Sequence, residues 1–505
     1  MRGDREVNEG PFRILIVGGG TAGWMSAAIM ARLLPKQHYS ITLIESEEIG
    51  TVGVGEATIP QIQLVNAVLG IDEDDFMRAT QGTFKLGIEF VGWGIADSRY
   101  IHAFGNTGRP IGRTPFQHFW LRGRTLGELA TLDSYCLNAA AAYAGKFTRG
   151  TDTRSKTLGG LVHAFHFDAG SYARFLRHYA ERHGVRRLEG RITHATRDGD
   201  SGDVASVALG DGSRQAADLY LDCSGFRGLL IEEALHTGYE EWTRWLPCDR
   251  ALVVQSAGGA DITPYTRATA KQAGWQWRIP LQNRIGNGHV YCSGALDEDE
   301  ASSVLLDGLD SAPLGDPRSL RFTTGRRKAF WNRNVVALGL AAGFMEPLES
   351  TSIHLVQSAI ERILKFLPNG PIRPADVEAY NAQTIFEWER VRDFIILHYH
   401  ANARPEPFWQ QCAAMPVPDS LTAKIDLFRA NGRIERFHEE LFSEAGWLQV
   451  MVGQGIAPLG YDPFADGPSD VELREFLALL RQTVSRSVAT MPAHAAFLAE
   501  HCRAA

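Results

Sequence analysis

Arg13-Ile14-Leu15-Ile16-Val17 runs straight into Gly18-Gly19-Gly20-Thr21-Ala22-Gly23, and this junction decides the fold. The first run is short, apolar and rich in β-branched residues, the composition of a strand buried on both faces. A helical stretch follows from Trp24 to Leu34, and a second strand, Ile41-Thr42-Leu43-Ile44, ends at Glu45. The product is a βαβ unit with GxGxxG at its turn and an acid 22 residues after Gly23. Gly18 permits the tight turn, Gly20 lets the backbone approach a pyrophosphate, and Gly23 allows close helix–strand packing. The helix N-terminus faces the phosphates, with Thr21 and Ala22 of the turn among the cofactor-binding residues, and Glu45 can accept from a ribose hydroxyl. A bare GxGxxG is weak. Here strand, helix, second strand and acid agree, which favours a dinucleotide site over a structural glycine turn.

Further along, two more strands end in small residues: Asp222-Cys223-Ser224-Gly225, and Asn334 to Gly339 followed by Leu340-Ala341-Ala342-Gly343. Asp211-Gly212 reads as a hairpin turn between Val204–Leu209 and Ala216–Leu221. A βαβ start with two later strand-to-glycine returns fits an FAD domain assembled from discontinuous segments. The fold class expected is α/β, with an FAD-binding Rossmann-like core of the glutathione-reductase/monooxygenase type. Residues 11–373 would form that core with inserted substrate-facing segments, and 374–505 a mainly helical C-terminal substrate cap.

Composition bounds the rest. At about 150 residues per domain, 505 residues suggest two to four domains, or one large enzyme domain with insertions. With 44% hydrophobic and 22% charged residues, a disordered chain is excluded. The net charge of −8 argues against a general nucleic-acid binder. The 51 glycines hint at close backbone approaches and the 11 tryptophans at large flat surfaces. The six cysteines form no CxxC pair and no metal-ligand spacing with histidine, so no metal and reduced thiols are expected. Met1 to Gly10 lacks an apolar leader segment, and Val335 to Met345 is too short to span a bilayer, so the expected location is cytoplasmic, off the membrane.

Several segments carry a more specific signal. They are Gly53-Val54-Gly55-Glu56-Ala57-Thr58-Ile59-Pro60, Phe84-Lys85-Leu86-Gly87, Trp275-Gln276-Trp277-Arg278-Ile279-Pro280 and Glu346-Pro347-Leu348-Glu349-Ser350-Thr351-Ser352-Ile353. Lys85 lies in a mostly apolar stretch. Facing inward it would be desolvated, which lowers its pKa and favours a neutral amine; facing outward it would be an ordinary snorkelling lysine. Glu349 precedes a largely apolar helix, where an acid is also favoured by the helix dipole. Trp275 and Trp277 alternate, so both lie on one face of a strand, where aromatic packing is the plain alternative.

Together these segments, with the Gly18–Gly23 turn, resemble the flavin-dependent tryptophan halogenases. The resemblance implies FAD, used as FADH2, with chloride or bromide as co-substrate. It implies that Lys85 delivers electrophilic halogen, either by hydrogen-bonding hypohalous acid or as a haloamine, and that Glu349 polarises it and removes the ring proton. Thr351 and Ser352 match halide-holding positions, and backbone N–H groups at a helix start suit an anion. Trp275 and Trp277 match the wall between flavin and substrate. Ala57, Leu340 and Ile353 match flavin-binding positions, and His102 and Phe104 match residues that stack on an indole, although a His and a Phe in one strand are otherwise core residues. Family members acting on free tryptophan carry a tyrosine pair and a glutamate near the C-terminus. Asn431 to His438, aligned through Gly453-Gln454-Gly455, contains no tyrosine. The substrate implied is therefore indole, a substituted indole or an indole inside a larger molecule, with free tryptophan less favoured.

The chain shows no second βαβ fingerprint, so a separate NAD(P)H-dependent flavin reductase is the expected partner, and the resemblance implies a homodimer. The alternatives are an FAD-dependent aromatic hydroxylase, which would need no halide, and a flavoprotein without turnover.

Overall fold

The opening strand lies at the centre of a six-stranded sheet. In the computed structural model, which describes residues 10–48, 55–149, 159–259, 262–368 and 370–504, the order is Trp331–Asn332, Val335–Ala337, Leu219–Asp222, Phe12–Val17, Tyr39–Glu45, Arg186–Glu189. All pairings are parallel except that of the edge strand Trp331–Asn332. Ile14 to Val17 are fully buried, as their two-sided apolar character requires. Val17 stands opposite both Ile44 and Asp222, and Asp222 opposite Ala337. The three strand-to-glycine returns thus leave the sheet side by side at its carboxyl edge, where open α/β sheets bind ligands.

The helix after the first strand spans Thr21–Leu33, beginning inside the glycine motif rather than at Trp24. It is buried from Gly23 to Ala31 because it is packed between helices Ala169–Arg182 and Ser352–Lys365. The hairpin expectation is corrected. The turn forms, with Gly212 at φ +85°, but across it Val204–Leu209 pairs with Arg214–Gln215 and not with the rest of the expected second strand, its other edge pairing with Ile192–Arg197. Leu219–Asp222 departs to the parallel sheet because all four of its residues are buried there, on both faces.

A seven-stranded sheet lies beyond the first, in the order Arg318–Arg321, Arg250–Ala257, Arg284–Tyr291, Gly274–Pro280, Thr266–Lys271, Gly87–Val91, Arg99–Ala103. A small three-stranded sheet holds Gly55–Ala57, Ala164–Asp168 and Thr83–Lys85. Lys85 is the last residue of its strand in the small sheet and Gly87 the first residue of the large one, so the lysine sits at their junction. Gly53 and Val54, which begin one of the sequence motifs, lie outside the described residues.

From Pro374 the described chain is helical. The first helix, Pro374–His400, is buried without a break from Val391 to Tyr399. A helix apolar on one stripe would expose part of that run; this end is instead enclosed on every side. It carries His398 and Tyr399 into the interior. No described helix is long and apolar enough to cross a membrane.

Candidate active site

The glycine returns enclose one cavity of about 580 Å³, within the range of cofactor sites. Gly18, Gly20, Thr21, Ala22 and Glu45 line it, with Ser224 and Gly225 from the second return and Gly339, Leu340 and Gly343 from the third. Ala57, Ile353, Ser352, Trp275 and Trp277 complete the wall at its far side.

The geometry of the turn fits a dinucleotide. Gly18 has φ +108°, and a Cβ there would lie 2.3 Å from the Cys223 carbonyl oxygen, so this turn and the second return are in backbone contact. At Gly23 a Cβ would lie 1.9 Å from the Gly18 carbonyl oxygen, which is the close helix–strand packing expected. At Gly20 a Cβ would meet no protein atom within 4 Å, leaving the open approach a pyrophosphate needs. Gly19, which carries no position of the GxGxxG pattern, is equally constrained, since a Cβ there would fall 1.6 Å from Glu45 Oε2. Glu45 itself accepts from Trp24 Nε1 at 3.1 Å and Arg187 Nε at 2.5 Å. A carboxylate has about four acceptor positions, so a ribose hydroxyl can still be served. Glu56 also lines the cavity, and burial raises its carboxyl to about 7.

Lys85 and Glu349 are not among the lining residues; they form a second, side-chain-built cluster. Lys85 is fully buried, and its Nζ donates to the Thr58 carbonyl at 2.9 Å and to Ser350 Oγ at 2.8 Å. Burial pushes its pKa down to about 7, against the nearby Glu349 charge, which pulls it up. The inward alternative therefore holds, and snorkelling does not. The Phe104 ring lies under the amine, 5.4 Å from Nζ to centroid.

Glu349 is 1% exposed and ends the turn Pro347–Glu349. Its Oε2 meets His102 Nδ1 at 2.8 Å. His398 Nε2 stands 3.0 Å from Oε1, but off the hydrogen-bond line, so neither atom has a well-formed partner. Burial alone would raise this carboxyl; the imidazoles of His102 and His398 outweigh it and hold it near 2. Glu349 is thus a charged carboxylate between two imidazoles. His102, matched from sequence to indole stacking, is engaged edge-on by Glu349, while its ring tilts against Phe394 and Phe442.

Ser350 joins the two regions. It lines the cavity, accepts from Lys85, and adopts φ +57°. That left-handed conformation is costly for a residue with a Cβ and tends to mark functional turns. Thr351 is buried at the start of helix Ser352–Lys365, whose first turn carries no acidic residue. The unpaired N–H groups of such a turn suit a small anion. Trp275 and Trp277 lie on strand Gly274–Pro280 with ring centroids 5.9 Å apart, both facing the cavity. Ser350, His398, Glu346 and Gly19 were missed in the sequence. Ser350 and Glu346 sat within a quoted motif, whereas His398 gives no local signal.

A dinucleotide-shaped cavity at the carboxyl edge of a parallel sheet, touching a desolvated amine through one serine, is the site of an enzyme that uses a dinucleotide cofactor. Sequence and structural relatives narrow that class. The tryptophan halogenase family model matches residues 13–470. The chain is 33% identical to tryptophan 7-halogenase RebH of Lentzea aerocolonigenes, over 88% of this chain and 90% of that protein. Its fold matches Xcc4156, a flavin-dependent halogenase from Xanthomonas campestris, with TM-score 0.95 and 49% identity, covering 98% of this chain and 99% of the other. BrvH, a flavin-dependent halogenase from Brevundimonas sp. BAL3, matches with TM-score 0.94 and 44% identity over 97% and 99% of the two chains. The chain belongs to the tryptophan halogenase family. It is a flavin-dependent halogenase, using FADH2 and a halide, and the hydroxylase alternative is not favoured.

Proposed function

We propose that this halogenase transfers oxidised chloride or bromide through Lys85 to an electron-rich indole-type ring, with Glu349 taking the ring proton. The observation that carries this reading is the bond from the buried Lys85 amine to Ser350, the residue shared with the flavin cavity. When bound, reduced flavin would supply two of the electrons that reduce O2 and halide the other two, one oxygen atom ending in hypohalous acid and the other in water. The residues of the chain then govern where that oxidant goes. The helix start at Thr351 and Ser352 holds the halide beside the cavity. Trp275 and Trp277 keep the ring substrate away from the flavin, so halide is oxidised instead of carbon being oxygenated. A Lys85 pKa of about 7 leaves much of the amine neutral at neutral pH. The neutral amine can take halogen with release of water, and the ammonium form can hydrogen-bond the hypohalous acid. When the ring carbon gains halogen, its proton must leave. Glu349, held ionised by its two imidazoles, is the base in place to accept it.

The C-terminal helices support a narrower substrate class. Flanking the segment aligned with the free-amino-acid clamp, Lys424 pairs with Glu440 at 3.1 Å and donates to the Glu435 carbonyl at 2.5 Å. With no tyrosine from Asn431 to His438 and the buried Lys424 already paired, indole or an indole within a larger molecule is favoured over free tryptophan. Residues from Pro374 onward act as the cap over this site. A separate NAD(P)H-dependent reductase supplies FADH2, and the enzyme works as a homodimer in the cytoplasm. Mass spectrometry of indole and tryptophan incubations with a flavin reductase, varying chloride and bromide, tests the reading. Halogenated indole is expected in both halides. An oxygenated product formed without halide, or hydrogen peroxide with no ring product, would overturn it.

A further inference from the structure

Three residues before Glu349, on the same turn, stands a second buried carboxyl group. Glu346 is fully buried, and its Oε2 accepts from Trp275 Nε1 at 2.8 Å and from Tyr399 OH at 2.5 Å. Its Oε1 is buried with no hydrogen-bond partner. A half-satisfied carboxyl in the interior is a cost, since polar groups lose water there without recovering all of their bonds. What it gains is geometric. Tyr399 follows His398 on helix Pro374–His400, so the turn that bears the two acids meets that helix at two successive residues, Glu346 at Tyr399 and Glu349 at His398. Successive helical residues point about 100° apart, so two such contacts fix both the height and the rotation of the helix against the turn. Through Trp275 the same carboxyl also reaches the cavity wall.

We propose that Glu346 is a positioning residue that registers the tryptophan wall against the Lys85–Glu349 cluster, so that oxidised halogen leaving the cavity meets the amine instead of escaping. Glu346 touches neither the amine nor the ring substrate in this role; it acts through Trp275 and Tyr399. The inference rests on the functional reading above and deepens it. It has a signature that a simple core residue lacks: loss of Glu346 should change where the halogen goes more than how much is oxidised.

The test uses the full chain with FAD, a flavin reductase, bromide, indole, and a soluble 1,3-diketone that captures free hypohalous acid. In Glu346→Leu the ratio of halogenated indole to halogenated trap should fall about 10- to 100-fold, the scale of a 1 Å misplacement at a reacting centre. Glu346→Gln keeps an acceptor oxygen for Trp275 and Tyr399 and should restore the wild-type ratio. Without flavin, the near-ultraviolet circular dichroism of the tryptophans should change in Glu346→Leu and not in Glu346→Gln. Tyr399→Phe removes one donor and should shift the ratio in the same direction by less; it decides the matter if Glu346→Leu does not fold. An unchanged ratio in Tyr399→Phe and Glu346→Leu, or losses of both products in proportion to folded protein, would overturn the proposal. A wild-type chain that halogenates neither indole nor trap would instead sink the functional reading, and this inference with it.

Discussion

The flavin cavity and the lysine cluster touch at Ser350, yet they are made in opposite ways. The cavity is built from backbone: its turns are set by glycines that must lack a Cβ, as Gly18, Gly19 and Gly23 each show by what a methyl group would strike. The cluster is built from side chains delivered by distant elements, with Lys85, His102, Glu349 and His398 drawn from two sheets, a turn and a C-terminal helix. A backbone site binds a large ligand through many weak, fixed dipoles. A buried side-chain site tunes a few charges strongly, because desolvation and close partners move pKa values far more than surface contacts do. Binding and transfer should therefore be separable by mutation.

The largest separation is expected at the amine. Lys85→Ala should reduce halogenated product by about 10² to 10⁴-fold, the range for loss of a positioned reacting group, while flavin binding and oxygen consumption persist. Product yield and oxygen uptake measured together check this, and retained halogenation would erase the distinction drawn between the two regions. The reverse dissociation is expected at Gly20, whose extended backbone tolerates a side chain and whose Cβ would meet no protein atom. Gly20→Val should fold normally but weaken FAD binding about tenfold or more, roughly 1.4 kcal/mol, in a fluorescence titration. Unchanged affinity would place the flavin elsewhere.

The smallest effect is on stability. The Lys85 pKa is lowered to about 7 in the folded chain, whereas an unfolded lysine titrates near 10.4. Between those values the unfolded chain binds one more proton than the folded one, so this residue's contribution to stability rises with pH across that window. Below pH 7 the cost of burying the ammonium is fully present. Lys85→Met should thus stabilise the chain most below pH 7, with the gain shrinking toward pH 10. Thermal melts of both proteins across that range check the slope; a difference that grows with pH would show the amine to be stabilised as a charge.

The same contrast explains what could be read in advance. The parallel sheet and its cofactor edge were legible because a βαβ turn is local: strand, glycines, helix and acid lie within one short segment, each position with its own steric reason. The alternation of Trp275 and Trp277 was legible for a similar reason, since a strand has a period of two. The hairpin at Asp211-Gly212 was half legible. Its turn is local, but the fate of Leu219–Asp222 depended on a buried gap between two strands from elsewhere. Lys85 and Glu349 stood out only through their motifs, and the partners that set their charges did not. His398 is remote from Glu349 in sequence and lies in an unremarkable helical run. His102 looked like a ring for stacking because sequence cannot show which edge of an imidazole faces an acid.

Lys85 ends strand Thr83–Lys85 of the small sheet, and Leu86 alone separates it from the large one, held at the large sheet's margin by its bonds to Pro264 and Phe104. A lysine at such a seam travels with the small sheet while His102 travels with the large one, so any sliding of the sheets is read out directly as displacement of the amine relative to the Glu349–His102 pair. The glycine returns of the cavity all leave the parallel sheet and do not share that exposure. On warming, the enzyme should therefore lose accuracy before it loses its cofactor, and cross-links that stitch the two sheets together should extend the working temperature without altering the flavin site.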